Sequence, residues 1–359
     1  MEIRKLNSLR ALAALIVFFT HFSDITNWLG GVLGGGSGAY GVMLFFLLSG
    51  FLMSYLYIEK GFNKDNIVRY FSARFARVIP LYLVVVLASY LLSNNGSSVL
   101  YNIPDTETLI AHLLFIYGES VLWSIPPEIH FYFIFTLFWA MSKNRTGYIY
   151  LSILAVMLLL FFTNYPRIYG DINGVPYNLF SVLRTLPFFF VGVMLGMNYR
   201  SLTIPYYLRK HWFVLTLGFI PLLYPAFSPI NSADKVRMWL SYEVLLVMSS
   251  VFFCVVFLVP DNNVLLANRF GDFIGKISYS LYLLHMPIIA KVNQLDVSIE
   301  LKLLLSLLLS VIAAAISYQF FEKPVANLIR RKVSNRPNSA TSQAELHSLF
   351  TEDTILMLR

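Results

Sequence analysis

Charged residues and cysteines are both scarce in this chain. Of its 359 residues, 13% are charged and one, Cys254, is a cysteine, whereas roughly a quarter of an average soluble domain is charged. One cysteine excludes a disulfide framework and a cysteine-rich metal site, and no histidine or carboxylate cluster has the spacing of metal ligands. Hydrophobic residues make up 57% of the chain, more than a soluble protein of this size is able to bury.

The apolar residues form long runs, many of which approach the roughly 20 residues that a helix needs to cross a bilayer. Ten spans fit best, at about 8–28, 40–58, 76–93, 124–142, 147–163, 179–198, 211–226, 239–259, 277–293 and 300–320. The apolar segment from Leu109 to Tyr117 is too short to span. The sequence therefore predicts an all-α polytopic membrane protein with about ten transmembrane helices.

Lysine and arginine cluster in alternate loops between these runs. Lys143 and Arg145 lie in one such loop, whereas the segments 27–40 and 93–107 hold no basic residue. Because cytoplasmic loops carry the excess of basic residues, both termini are predicted to be cytoplasmic. The net charge of +8 is spread over these loops and does not indicate a nucleic-acid partner. Residues 326–359 are predicted to be a polar, mobile cytoplasmic tail that follows a transmembrane domain at 1–325.

Arg10 and His21 are the most informative ionisable residues, because charged groups inside a span are costly and usually functional. They lie eleven residues apart in the first span, which puts both on one helix face about 16 Å apart along its axis. A neutral imidazole in a dry site acts as a general base toward a hydroxyl. The alternative is that Arg10 anchors the topology and His21 is a hydrogen-bonded packing residue.

Arg74 and Arg77 are three residues apart at the start of the third span and share a helix face. With Arg10 they place three guanidinium groups at the predicted cytoplasmic boundary, an arrangement that suits phosphate oxygens. Arginines beside a membrane also set topology or bind anionic lipids, so both readings stay open.

The fourth span opens with LWSIPPEIHFYFIF. Pro126 and Pro127 fit the first turn of a helix, which places Glu128 where the helix dipole favours a carboxylate. This end is predicted to face outward at the level of His21, where Glu128 either orients a histidine, binds an acceptor hydroxyl or simply caps the helix. Tyr132 is a neighbour with a weaker claim.

Two further residues near the C-terminus are candidates with alternatives. His285, midway along the ninth span, either lines the same cavity or hydrogen-bonds the backbone that Pro287 frees. Glu322 ends the tenth span and either pairs with the arginines or is a boundary charge. By contrast, Ser49 in LLSGFL is predicted to be a small packing residue, and His112 is a lone histidine with no visible partner.

Six stretches resemble, in order, the membrane acyltransferase family 3, which includes O-acetyltransferases of lipopolysaccharide, exopolysaccharide and peptidoglycan. They are LNSLRALAALIVFFTH, GVMLFFLLSGFLM, FSARFARVIPLYL, LWSIPPEIHFYF, ISYSLYLLHMPI and FFEKP, within residues 6 to about 325. The resemblance implies a multi-pass protein of the inner (cytoplasmic) membrane. Its expected reaction transfers an acyl group, usually acetyl, from acyl-CoA to a glycan hydroxyl. Acyl-CoA is then a donor substrate, and no bound cofactor is expected.

The resemblance also assigns roles to particular residues. The family's motifs fall on Arg10 and His21, on Arg74 and Arg77, and on Trp123, Ser124 and Glu128. The expected catalytic residues are His21, Arg10 and Glu128. The expected substrate-binding residues are Arg74, Arg77, Trp123, Ser124, Tyr132, His285 and Glu322. Met43 replaces a common aspartate, and Pro126 and Pro127 also depart from the pattern.

Some family members carry a C-terminal hydrolase-like domain, and this chain looks like the stand-alone form. Expected partners are acyl-CoA, a glycan or lipid-linked glycan, and membrane lipids. Other readings remain: a glycolipid transporter, a non-catalytic partner in glycan assembly, or acylation of a small-molecule acceptor. The sequence does not distinguish direct transfer from a covalent acyl-enzyme.

Overall fold

The computed structural model of the chain describes residues 4–96, 99–142, 146–162, 168–172, 175–179, 181–229 and 237–334. These residues are mostly helical, as predicted. The α-helices are α1 (Arg4–Thr26), α2 (Gly38–Tyr57), α3 (Lys64–Asn94), α4 (Thr106–Leu113), α5 (Ile125–Ser142), α6 (Thr146–Phe162), α7 (Ser181–Asn198), α8 (Tyr242–Phe253), α9 (Arg269–Asn293), α10 (Ile299–Ser317) and α11 (Lys323–Ser334). A short antiparallel hairpin, β1 (Ile168–Ile172) and β2 (Val175–Leu179), departs from the all-α prediction and pairs Ile168 with Leu179.

Among the described residues, seven helical segments are long and apolar enough to cross a membrane. They confirm seven of the ten predicted spans and run over Arg4–Thr26, Gly38–Tyr57, Lys64–Asn94, Ser120–Ser142, Ser181–Asn198, Arg269–Asn293 and Ile299–Val333. The remaining three predictions coincide with the shorter apolar helical segments Ile149–Leu158, His211–Leu223 and Tyr242–Leu258. The total of ten spans and the cytoplasmic termini therefore stay predictions.

Local chemistry explains why two of these three segments are short. Residues His211–Phe219 are wound as a 3₁₀ helix, and Pro221 opens a separate 3₁₀ turn, since proline cannot continue the hydrogen-bond ladder. The last turn of α8 widens into a π-helical turn at Cys254–Leu258, which is followed by Pro260. The short apolar segment at 109–117 is confirmed as too short to span, because α4 ends at Leu113.

The predicted tail and one predicted basic loop are only partly described. Lys143, Arg145 and residues 335–359 lie outside the described ranges. Helix α11 runs across residue 326, the predicted start of the tail, and is basic in its last turn.

Helix α1 lies at the centre of the packing. It packs along α9 on one side and α2 on the other, while α2 packs along α7 and α9 along α10. Two glycines permit the close approach of α2 and α7. A Cβ atom at Gly50 would lie 2.1 Å from the carbonyl oxygen of Phe189, and one at Gly192 would lie 2.2 Å from that of Leu47, so a larger residue would push the helices apart.

Pro287 interrupts the hydrogen bonding of α9 without leaving a carbonyl unpaired. Because proline has no N–H, the carbonyl of Leu283 loses its partner in the helix. The hydroxyl of Tyr101 donates to that oxygen at 2.7 Å instead. The structural alternative for His285, hydrogen bonding to the backbone that Pro287 frees, is therefore wrong: Tyr101 fills that role.

The N-terminal turn of α1 is fixed by a buried lysine. The ammonium group of Lys5 donates to the carbonyls of Val256 at 2.6 Å and Val259 at 3.1 Å, and it lies 2.9 Å from the carboxylate of Asp261. These bonds satisfy carbonyls at the end of the π-helical turn and hold α1 against the connection between α8 and α9.

Candidate active site

Three neighbouring cavities follow α1 in order. The basic cavity, of about 230 Å³, touches Asn7 and Arg10. The central cavity, of about 90 Å³, also touches Arg10, and the histidine cavity, of about 320 Å³, touches His21. Adjacent cavities share wall residues, which are Arg10 and Arg77 for the first pair and Val42 and Tyr282 for the second. The predicted common face of Arg10 and His21 is thus the face that lines these cavities.

The basic cavity carries an excess of positive charge. Its described lining includes five cationic side chains and one carboxylate, namely Arg10, Arg77, Lys276, Lys323, Arg330 and Glu322. The carboxylate of Glu322 is buried and accepts a hydrogen bond from the hydroxyl of Ser280 at 2.8 Å. A π-helical turn at Tyr318–Glu322 places this carboxylate. Glu322 therefore shares a cavity with Arg10 and Arg77, while its direct hydrogen-bonding partner is a serine.

The central cavity is lined by Arg10, Arg74, Arg77 and the carboxylate of Glu128. Within the described ranges, none of these three guanidinium groups forms an ion pair with a carboxylate. The ring of Tyr57 lies 5.8 Å from the guanidinium of Arg74. Three cations face one anion among the described lining residues, which leaves a local excess of positive charge.

Glu128 is held by two hydroxyl groups. Ser49 donates to its carboxylate, and the Tyr132 hydroxyl is a second hydrogen-bonding partner. Ser49, predicted to be a small packing residue, lines the central cavity as a hydrogen-bond donor, while its neighbour Gly50 makes the close helix contact. One residue along a helix is a turn of 100°, so Gly50 faces α7 while Ser49 faces the cavity.

Of the three alternatives for Glu128, the one in which it lies level with His21 and orients a histidine does not hold, because its carboxylate bonds Ser49 and Tyr132 in the central cavity. Glu128 does fall in the first turn of α5, as predicted, but a 3₁₀ turn at Ser120–Ser124 precedes that helix. Five residues of 3₁₀ helix rise roughly 10 Å, so the chain has already entered the protein where α5 begins. Glu128 consequently lies in the central cavity with the arginines.

His285 is a hydrogen-bonding partner of His21. The Nδ1 atom of His21 lies 2.8 Å from the Nε2 atom of His285. The Nδ1 atom of His285 lies 2.8 Å from the carbonyl oxygen of Tyr282 and 3.1 Å from that of Leu281. The planes of the two rings are inclined by 15°, with their centroids 5.1 Å apart, and His285 is buried.

Aromatic side chains form much of the histidine cavity. Trp123, a predicted binding residue, lines it together with Trp239 and Arg184. The guanidinium of Arg184 lies 4.3 Å from the centroid of the Trp123 ring and 5.8 Å from that of Trp239. Arg184 was missed in the sequence, although it lies inside a predicted span and the cost of a buried charge would have marked it.

Tyr282 separates the central cavity from the histidine cavity. Its hydroxyl donates to the carbonyl of Val121 at 2.8 Å and accepts from the Ser124 hydroxyl at 2.9 Å. Ser124, predicted as a binding residue, thus lies in the partition beside the central cavity. Tyr282 lies within the family stretch ISYSLYLLHMPI, but its place in the partition depends on α9 packing against the 3₁₀ turn, which that stretch alone does not reveal.

His112 illustrates a buried histidine of a different kind. Its Nδ1 atom lies 2.8 Å from the Thr108 carbonyl, and its Nε2 atom accepts the backbone N–H of Glu119 at 2.9 Å. Burial lowers the pKa of the imidazole. With both nitrogens bonded to nearby backbone, His112 fixes a turn.

The ten predicted site residues converge on one place. Nine line the three cavities, and the tenth, His285, bonds to His21. A family model described as an acyltransferase domain matches residues 3–321. The chain belongs to acyltransferase family 3. With its long apolar helices, this member of the family is a multi-pass membrane protein.

Curated relatives agree with this family. The chain is 26% identical to O-acetyltransferase OatA of Staphylococcus aureus strain NCTC 8325 / PS 47 over 363 residues, covering 89% of the chain and 56% of the relative. It is 27% identical to a putative O-acetyltransferase of Staphylococcus aureus strain COL, with the same coverage of each. The chain therefore spans little more than half the length of these relatives. No solved structure gives a significant match.

Proposed function

We propose that this acyltransferase moves an acetyl group from cytosolic acetyl-CoA to a hydroxyl of a cell-surface polysaccharide or lipid-linked glycan. The observation that carries the proposal is the line of three cavities, which leads from an arginine-rich end to His21. The names of the curated relatives favour acetyl as the acyl group and an oxygen as its acceptor.

The donor end of this path is the basic cavity. Coenzyme A carries several phosphate groups, and arginine forks bind phosphate oxygens with paired hydrogen bonds. Arg10 and Arg77 border both the basic and the central cavities, so phosphates bound there leave the pantetheine arm pointing into the narrow central cavity. This arrangement supports entry of the donor from the side that the loop charges predict to be cytoplasmic.

The thioester and the acceptor meet near His21. Eleven residues of helix separate Arg10 from His21, about 16 Å along α1, and the pantetheine arm is a long, narrow chain suited to that path. The histidine cavity has aromatic walls and few polar groups, as sites for small organic ligands commonly do. It is the largest of the three cavities and the one that supports binding of a sugar ring.

The chemistry follows from these positions. His21 takes the proton of the acceptor hydroxyl as that oxygen attacks the thioester carbonyl. The C–S bond then breaks, the acyl group stays on the acceptor oxygen, and the imidazolium returns its proton to the departing CoA thiolate. In a two-step variant the imidazole itself carries the acyl group before the acceptor arrives. Glu128 and its hydrogen-bonding partners Ser49 and Tyr132 form part of the wall of the central cavity, in which the pantetheine arm of the donor lies.

The test is acetyl transfer by the purified chain in lipid nanodiscs. Radiolabelled acetyl-CoA and total surface glycans are supplied, and labelled glycan is measured for the native protein and for His21→Ala. Native transfer with loss in the variant is expected, whereas equal transfer by both would overturn the role of His21. A transporter would instead move unmodified glycolipid without any dependence on acetyl-CoA.

A matched pair of arginine variants separates donor binding from general charge effects. Arg77→Gln removes a guanidinium that borders two cavities, whereas Arg200→Gln removes an exposed one that pairs with Glu59 at the surface. The dissociation constant for acetyl-CoA is expected to rise in the first variant and to stay unchanged in the second. Unchanged donor binding in Arg77→Gln would contradict the proposed donor site.

A further inference from the structure

The His21–His285 pair has a proton arrangement that the backbone of α9 dictates. The Nδ1 atom of His285 faces two carbonyl oxygens, those of Tyr282 at 2.8 Å and Leu281 at 3.1 Å. A carbonyl oxygen only accepts hydrogen bonds, so this nitrogen carries the hydrogen. The other nitrogen of a neutral imidazole, Nε2, then holds a lone pair and accepts.

The tautomer of His21 follows from that of His285. The Nε2 atom of His285 lies 2.8 Å from Nδ1 of His21, and its lone pair needs a donor there. Nδ1 of His21 therefore carries the hydrogen, and the lone pair of His21 is on Nε2. The two ring planes are inclined by 15° and the ring centroids lie 5.1 Å apart, a geometry compatible with an in-plane N–H that meets an in-plane lone pair.

The opposite arrangement conflicts with the same contacts. If His21 held its hydrogen on Nε2, two lone pairs would face each other at 2.8 Å unless His285 also changed tautomer. That change would turn a lone pair of His285 toward two carbonyl oxygens in a buried site, where unpaired polar groups are costly.

The surroundings hold His285 in this orientation. Its ring lies 6.3 Å from the ring of Phe18 and 6.1 Å from that of Tyr282. Tyr101 bonds the carbonyl that Pro287 leaves without a partner, so this carbonyl does not compete for His285. The same stretch of α9 therefore supplies both the histidine and the acceptors that fix its tautomer.

We propose that His285 is a positioning residue that keeps His21 in the tautomer with its lone pair on Nε2. This inference rests on the proposed function, in which that lone pair takes the proton of the acceptor hydroxyl. His21 then becomes an imidazolium whose Nδ1–H remains bonded to His285, and the new proton on Nε2 passes to the CoA thiolate. His285 itself gains and loses no proton.

The inference is tested by nitrogen-15 NMR of the histidine-labelled protein in lipid, without substrate. The difference between native and His21→Ala spectra identifies the His21 signals. The expected result is a protonated Nδ1 and an unprotonated Nε2 on His21. A protonated Nε2 would overturn the inference. His112, whose Nδ1 donates to Thr108, provides an internal reference with the same tautomer.

Two variants of similar size add a kinetic test. His285→Gln places an amide oxygen where it accepts from His21, whereas His285→Met offers only a weakly accepting thioether sulfur. The glutamine variant is expected to keep the His21 tautomer and a kcat within about threefold of native. The methionine variant is expected to mix the tautomers and lower kcat by about 10²-fold or more, with an unchanged KM for acetyl-CoA.

Equal kcat and an unchanged His21 tautomer in His285→Met would refute the positioning role. If the methionine variant does not fold, the native spectrum and the glutamine variant still test the positioning role. A histidine with a merely structural role predicts no link between the His21 tautomer and kcat. Failure of the proposed function is distinguishable from failure of this inference. A protein that transfers no acetyl group refutes the proposed function, and its NMR spectrum still reports the tautomer of His21. A protein that transfers acetyl groups but carries a proton on Nε2 of His21 refutes the inference alone.

Discussion

Removing Arg74 should weaken donor binding without destabilising the protein. The guanidinium of Arg74 is buried and lies in a cavity with Arg10 and Arg77, where Glu128 is the one carboxylate among the described lining residues. If the fold needs an arginine, replacing that arginine destabilises the protein. An arginine kept for an anionic ligand leaves the ligand-free protein unchanged or more stable.

The magnitude follows from the charges. If neighbouring guanidinium groups in this cavity are taken to be about 7 Å apart, each pair repels by roughly 2.4 kcal/mol at an effective dielectric constant of 20. Arg74→Gln removes repulsion from two such neighbours but also the attraction to Glu128. The substitution also removes the cation–π contact between the Arg74 guanidinium and the Tyr57 ring, which lie 5.8 Å apart. Such a contact is worth about 0.5–1 kcal/mol. The expected change in the free energy of unfolding without ligand is therefore between zero and about 2 kcal/mol of stabilisation.

The assay is thermal unfolding in nanodiscs with and without acetyl-CoA. A ligand at about 100 times its dissociation constant stabilises the native state by about 2.7 kcal/mol. Loss of one charge-assisted contact, worth about 1.5–3 kcal/mol, should raise that constant by about 10- to 150-fold and remove between about half and nearly all of the ligand-induced shift. If the ligand-free Arg74→Gln variant is destabilised and acetyl-CoA still stabilises it as much as the native protein, then Arg74 serves the fold.

Three further predictions concern the scaffold and are all measured by thermal unfolding. Gly50→Ala places a methyl group against the backbone of α7 and should cost about 1–3 kcal/mol, whereas Gly218→Ala, with open space around it, should cost far less. Tyr101→Phe leaves a buried carbonyl of α9 without a donor and should cost about 1–3 kcal/mol. Burial acts to raise the pKa of Asp261, but the hydrogen bond and charge of Lys5 lower it below its usual value. Its contribution to stability is therefore complete above the unfolded pKa of about 3.9 and is lost as pH falls through the folded pKa. Lys5→Met should flatten this acid-side loss, and an unchanged pH profile would contradict the pairing.

The sequence predicts the features that depend on local periodicity. Hydropathy locates the long apolar helices, since each span is set by its own run of residues. The spacing of Arg10 and His21 places both on one face of α1, because helical geometry alone determines that relation. Family motifs then add residues such as Trp123 and Glu322 without saying which cavity each one reaches.

The features that depend on packing between distant segments are not predictable in this way. His21 and His285 are 264 residues apart in the chain, and their contact exists because α9 lies along α1. The depth of Glu128 depends on a 3₁₀ turn that no hydropathy pattern reveals. The partition at Tyr282 likewise requires the end of that turn to meet α9.

Helix α9 contributes residues both to the packing of the fold and to the candidate site. Ser278 and Tyr282 are four residues apart and line the central cavity, and His285, one turn further, meets His21. Positions at this spacing share one helix face, and that face is turned toward α1. A displacement of α9 along α1 would therefore alter the cavity wall, the partition and the histidine pair together. The extensive packing of these two helices consequently fixes the geometry of the candidate site as well as the stability of the fold.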